Sequence, residues 1–183
     1  MAILTPMTRF IRMRHWLPLV IATVAPLAVP AAEPVEVAVK AAYLTKFGIY
    51  VDWPDATPGS ELNLCVAGED PFGKTLDSAA AKQQPGNRPI VVRRLKTVTP
   101  ESGCDIAYFG NGDPTTLQTI DSLRGSPVLT VSDNGGKGAI VNFVLKDNRV
   151  RFEIDETAAT ENNLVLSSKL LSLALNVKPR QQP

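Results

Sequence analysis

Histidine is almost absent from this chain: His15 is the only one in 183 residues. That single fact removes most hydrolase chemistry, because a nucleophile needs a base and imidazole is the usual one. Cysteine is nearly as scarce, with Cys65 and Cys104 alone. Their spacing is too long for a redox C-x-x-C, and two thiolates without histidine make a poor structural zinc set. Charge of one sign is not in excess either: 19 Lys and Arg face 18 Asp and Glu. A chain so balanced is no polybasic binder of nucleic acid. Calcium-loop and phosphate-loop spacings are missing. Asn134-Gly135-Gly136-Lys137-Gly138 is glycine-rich, but it leads into a strand pattern rather than a helix and reads as a flexible connection. No metal and no cofactor is expected.

Long apolar runs are confined to the N-terminus. Arg9, Arg12 and Arg14 precede an apolar stretch from Leu17 to Val29, broken by Pro18 and Pro26, and Val29-Pro30-Ala31 ends it with small residues. This order reads as a secretory signal peptide over residues 1–31, cleaved after Ala31. At ~13 residues the run falls short of the roughly 20 that span a bilayer. An uncleaved membrane anchor is the rival reading, and a start at Met7 would give a more usual signal length. Cleavage discards His15 and three arginines, leaving residues 32–183 slightly acidic. That length suits one domain with a real core. No cysteine follows the cleavage site closely enough for a lipid anchor. In an oxidising compartment the default for Cys65 and Cys104 is one disulfide. The alternative is two buried free thiols on neighbouring strands.

Periodicity then organises the chain. Val39, Ala42, Tyr43, Phe47, Tyr50 and Val51 recur at helical steps, predicting an amphipathic helix from Glu36 to about Val51. Asp52-Trp53-Pro54 ends it, since the residue before proline leaves the helical region. Strands are expected at Leu62–Ala67, Pro89–Leu95, Asp105–Phe109 and Pro127–Val131. Between them come a helix capped by Asp70 with Pro71 at its first position, running to about Lys82, and another begun by Asp113-Pro114 and running to about Arg124. Ala139–Leu145 and Arg149–Ile154 follow as an antiparallel hairpin. Asp155 caps a short turn of helix, and Ser167 a last helix with Leu170, Leu171, Ala174 and Leu175 inward. The fold class is α/β: a three-layer α/β/α domain with a mixed sheet ending in an antiparallel hairpin. Its core is expected to include Leu64, Val66, Ile106, Tyr108, Leu129, Val131, Phe143, Phe152, Leu170 and Ala174.

Three residues stand out as binding candidates. Glu69 and Asp70 follow a strand at its carboxyl end, where open α/β sheets bind ligands, although capping alone explains Asp70. Trp53 suits helix-end packing or, if exposed, a partner surface. Ser167-Ser168-Lys169 superficially suggests a Ser–Lys pair, but a cap serine at the start of an apolar helix is the commoner reason for it. No catalytic residue emerges, and the chain reads as a non-enzyme.

Several segments, taken in order, carry a resemblance. Ala41-Ala42-Tyr43-Leu44-Thr45-Lys46-Phe47 with Val51-Asp52-Trp53-Pro54 resembles the first helix of the YfiR-like periplasmic family. Leu64 to Gly73 resembles its first strand and loop, and Gly103 to Phe109 its second cysteine strand. Pro127 to Asp133, Ile140 to Phe143 and Val150 to Ile154 resemble its C-terminal strands, and Leu164 to Ala174 its closing helix. Three departures stand beside this, the first being a stretch between Asp133 and Ala139 that is short and glycine-rich where relatives often carry more residues, some aromatic. Asp105 occupies the place after the second cysteine where members carry histidine, and the second cysteine pair of some relatives is absent. The resemblance implies a periplasmic negative regulator, with no cofactor. Its partner would be the periplasmic domain of a YfiN-type membrane diguanylate cyclase, and a YfiB-type outer-membrane lipoprotein would sequester it. A homodimer is among the assemblies it allows. Cyclic-di-GMP output and biofilm formation would fall under its control. A periplasmic small-molecule sensor, with its ligand near Asp70, is the alternative.

Overall fold

A computed structural model of the chain describes residues 35–54, 60–84, 87–110, 115–133 and 138–180. The signal-peptide reading of residues 1–31, the Asp113-Pro114 helix start and the stretch 134–137 lie outside the described residues. Helix α1 (Val35–Tyr50) forms within one residue of the expected bounds. Its hidden stripe is rotated from the expected one: Lys40, Ala41, Leu44 and Phe47 are fully buried, while Val39, Ala42, Tyr43 and Tyr50 flank them. The buried positions outside the expected stripe are two apolar residues, Ala41 and Leu44, and two polar ones, Lys40 and Thr45.

Seven strands form one sheet in the order β3-β2-β4-β5-β6-β7-β9. They are β2 (Leu62–Ala67), β3 (Ile90–Leu95), β4 (Ile106–Phe109), β5 (Leu129–Asp133), β6 (Val141–Lys146), β7 (Arg149–Asp155) and β9 (Asn176–Lys178). β3 through β6 run parallel, β7 antiparallel to β6, and β9 parallel to β7. The expected hairpin is present, closed by Asp147 and Asn148 at φ 49° and 58°, the left-handed pair that a two-residue type I′ turn requires. β9 lies beyond it at the edge. A two-stranded pair, β1 (Val51–Asp52) with β8 (Val165–Leu166), ties the end of α1 to the C-terminal region.

Register explains the layers. Val66, Tyr108, Val131, Val141 and Ile154 stand side by side across five strands. They share one face with Leu64, Ile106, Leu129, Phe143 and Phe152, under α1 and the Phe72–Leu76 segment. The opposite face carries Cys65, Ala107 and Phe109. It is covered by Val98 and by Ile120 and Leu123 around helix α3 (Thr116–Ser122). The mixed sheet is thus apolar on both faces, as near-continuous apolar strands demand. Of the ten expected core residues, all but Ala174 are at most 1% exposed. Ala174 is only partly buried, because α5 (Ser168–Leu173) stops there to let the chain enter β9.

Both C-terminal caps form as expected. Asp155 accepts from the Ala158 N–H at 3.1 Å to start α4 (Glu156–Glu161), and Ser167 Oγ accepts from the Leu170 N–H at 3.3 Å. At the other end of α4, buried Asn162 donates to the Val128 carbonyl at 2.9 Å and accepts from the Gly125 N–H at 3.0 Å. Alanine there leaves two backbone groups unpaired in the interior. Asn162→Ala is expected to cost about 1–3 kcal/mol, seen as a lower denaturation midpoint with an unchanged slope.

Candidate functional site

The three candidates from the sequence fall at opposite ends of the sheet. Trp53 is 9% exposed and packs at the amino ends of β2 and β4, its indole N–H donating to the Asp105 carbonyl at 3.2 Å. The Arg88 guanidinium lies 5.8 Å from its ring centre. That arginine also donates to Asp105 Oδ1 at 2.9 Å and to the Glu61 carbonyl at 2.8 Å. Asp105 Oδ2 accepts from the Asn63 N–H at 2.7 Å. Asp105 is therefore the anchor of a clamp that fixes a shallow hollow of about 290 Å³ beside Cys104.

Glu69 and Asp70 sit at the carboxyl ends instead, after β2. Glu69 is exposed. Asp70 is not a helix cap: α2 (Lys74–Ala80) starts later, with Gly73 at its N-cap. The Asp70 carboxylate accepts from the Phe72 N–H at 2.7 Å and from Arg94 Nε at 2.7 Å. Arg94 also reaches Asp77 at 2.8 Å and 2.9 Å and the Gly73 carbonyl at 2.9 Å. The side-chain hydrogen bonds of Asp77 and then Asp70 raise the Arg94 pKa, and the same arginine lowers that of Asp77. The loop is thus locked onto edge strand β3, and Asp70 has both oxygens engaged.

The cluster that sequence reasoning missed lies beside it. Lys40 Nζ donates to Asp133 Oδ2 at 2.7 Å and to Glu36 Oε1 at 2.5 Å, and the Tyr108 hydroxyl donates to the same Asp133 oxygen at 3.1 Å. The Lys40 and Asp133 side chains are 7% and 11% exposed. Burial alone would lower the Lys40 pKa; bonds to Asp133 and Glu36 reverse this and raise it above 10.5. Burial, joined by the Asp133 charge, pushes the Tyr108 phenol upward. Phe72 meets the Tyr108 ring edge-on at 4.8 Å, joining this cluster to the Asp70 loop. Among the described residues, buried Asp133 Oδ1 has no hydrogen-bond partner. The only trace in the sequence was a lysine four residues after a glutamate, inside an apolar stripe.

The arrangement pairs its buried and half-buried charges with one another. Ser167 is a helix cap, and Lys169 lies 5.6 Å from the Tyr50 ring centre rather than on a serine. Among the described residues no group of three His, Cys, Asp or Glu is placed to hold a metal, and no helix is long and apolar enough to cross a membrane. Cys65 and Cys104 are joined in a disulfide. The profile of the YfiR/HmsC-like family matches residues 37–175, from α1 through α5. No curated protein matches the chain.

Proposed function

Because the chain belongs to the YfiR/HmsC-like family, a periplasmic regulatory family rather than a catalytic one, we propose that it represses a membrane diguanylate cyclase by binding that enzyme's periplasmic domain. The observation that carries this is the family match over residues 37–175, from α1 through α5 and every strand but β9. The structure is compatible with a rigid binder: a disulfide-tied body with its polar clusters already paired internally. A protein of this kind works by population shift. It lowers output in proportion to its preference for the inactive cyclase conformation.

The partner surface we assign is the region where α1, β8 and α5 meet. Ile49 is 50% exposed, Val165 63% and Leu173 48%. β1–β8 pairing and the Ser167 N–H bond to the Tyr50 carbonyl at 2.9 Å hold these elements together. Large apolar side chains left in water on elements that are tied together suit the core of a protein interface. Trp53 is not assigned to this surface, since its ring is buried against Asp105 and Arg88.

The test has a cellular and a molecular arm. Deleting the gene should raise cyclic-di-GMP, and an export-competent copy should lower it again, whereas a copy lacking residues 1–31 should not. The exported protein should copurify with a cyclase from membranes. Val165→Asp with Leu173→Asp should weaken that association at least about tenfold while leaving the melting temperature within a few degrees. Unchanged cyclic-di-GMP on deletion, with the cyclase expressed, overturns the repressor reading. The small-molecule sensor then takes its place, favoured by the unpartnered Asp133 oxygen at the carboxyl ends of the strands.

A further inference from the structure

We propose that the groove between α1 and α2 is an anion-binding site for a ligand carrying adjacent phosphate-type charges. The groove has a volume of about 430 Å³, within the ~300–1,000 Å³ of small-molecule sites. It is lined by Ala42, Thr45 and Lys46 of α1 and, from the α2 side, by Lys74, Ser78, Ala79 and Lys82, so three ammonium groups and the Ser78 hydroxyl border one concavity.

Lys40, Arg88, Arg94, Arg124, Lys178 and Arg180 each sit on a carboxylate within 3.1 Å. Lys46, Lys74 and Lys82 are exposed and make no ion pair among the described residues. Arg93, Lys96, Lys146, Arg149, Arg151 and Lys169 also make no ion pair among the described residues, but of the described cavities only this groove gathers three such cations in one concavity. No carboxylate lines the groove. Asp77, the acid of α2, is held by Arg94 instead. Three ammonium groups around one concavity repel one another, and a bound anion removes that repulsion. Lysine serves phosphate as a point charge on a flexible stem, and hydroxyls supply directional donors beside it. Two or three ammonium groups across a groove fit a ligand with charge at more than one place better than a single monoanion. The site shares no lining residue with Ile49, Val165 and Leu173 of the α1–β8–α5 surface, and it stands or falls independently of the cyclase as partner.

Calorimetric titration of the exported protein with inorganic pyrophosphate at low ionic strength tests this, alongside sedimentation with phosphatidylglycerol and with phosphatidylcholine vesicles. The groove variant is Lys46→Gln, Lys74→Gln, Lys82→Gln; the control variant, Lys96→Gln, Lys146→Gln, Arg149→Gln, removes as much charge elsewhere on the exposed surface. Pyrophosphate binding that drops about tenfold or more in the groove variant, and stays within about twofold in the control, establishes a site for a soluble phosphate ligand. Binding to phosphatidylglycerol vesicles alone, lost in the same variant, establishes a lipid headgroup as the source of the charge. No binding of either probe overturns the proposal, as does an equal loss in both variants.

Discussion

Replacing Cys65 and Cys104 together by alanine is expected to lower the unfolding free energy by roughly 4 kcal/mol. The bridge spans 39 residues with Cα atoms 5.9 Å apart. It joins β2 to a residue two before its parallel neighbour β4, so it closes the crossover that carries α2 and β3. Parallel pairing needs such a crossover, and ordering it is costly in chain entropy. The bridge removes much of that freedom from the unfolded chain before folding begins. Cys65 is fully buried, so alanine is the right replacement, since serine would add a buried hydroxyl. At this chain length roughly 4 kcal/mol corresponds to a fall of about 8–16 °C in melting temperature. Thiol labelling of the denatured, non-reduced protein should find no free thiol. Two labelled thiols, or a double variant as stable as the parent, would remove the bridge from the stability argument.

What could be read in the sequence was whatever depends on near neighbours. Leu62–Ala67 and Ile106–Phe109 are apolar nearly throughout, which is how a strand buried on both faces looks. Asp155 and Ser167 cap helices that start within three residues of them. Asp147-Asn148 is a turn because those two residues tolerate positive φ. Asp70 failed as a cap because its carboxylate had a stronger claim on it: Arg94, on a strand 24 residues later. β8 and β9 are two and three residues long, too short to show a period of two. Lys40 meets Asp133 across 93 residues, and nothing local in either segment names the other. The charged cluster at the carboxyl ends was therefore invisible, although Glu69 and Asp70 pointed to the right end of the sheet. Trp53 pointed to the opposite end, because an indole beside proline looks the same whether it packs or binds.

Lys40→Met is expected to destabilise the protein by about 3–5 kcal/mol, the cost of leaving a buried charge without its partner. Asp133 already has one oxygen unpaired; without the ammonium its carboxylate keeps only the Tyr108 hydroxyl. Asp133→Asn in the same background should recover part of the loss, because it removes the stranded charge, and the two changes should be non-additive by about 0.5–3 kcal/mol. The alkaline limb gives an independent reading. Lys40 and Tyr108 both hold their protons more tightly folded than unfolded. Their contribution is whole below pH ~10 and is lost as pH rises from the unfolded values toward the raised folded ones. Stability from denaturant titrations should thus fall steeply above pH ~10 in the parent. It should fall less steeply in Tyr108→Phe, which has no phenol to ionise on unfolding. Absorbance of tyrosinate near 295 nm should show Tyr108 ionising only as the protein unfolds. A Lys40→Met variant that loses less than about 1 kcal/mol, with an alkaline limb identical in Tyr108→Phe and parent, would mean that the cluster is solvated and contributes nothing to the fold.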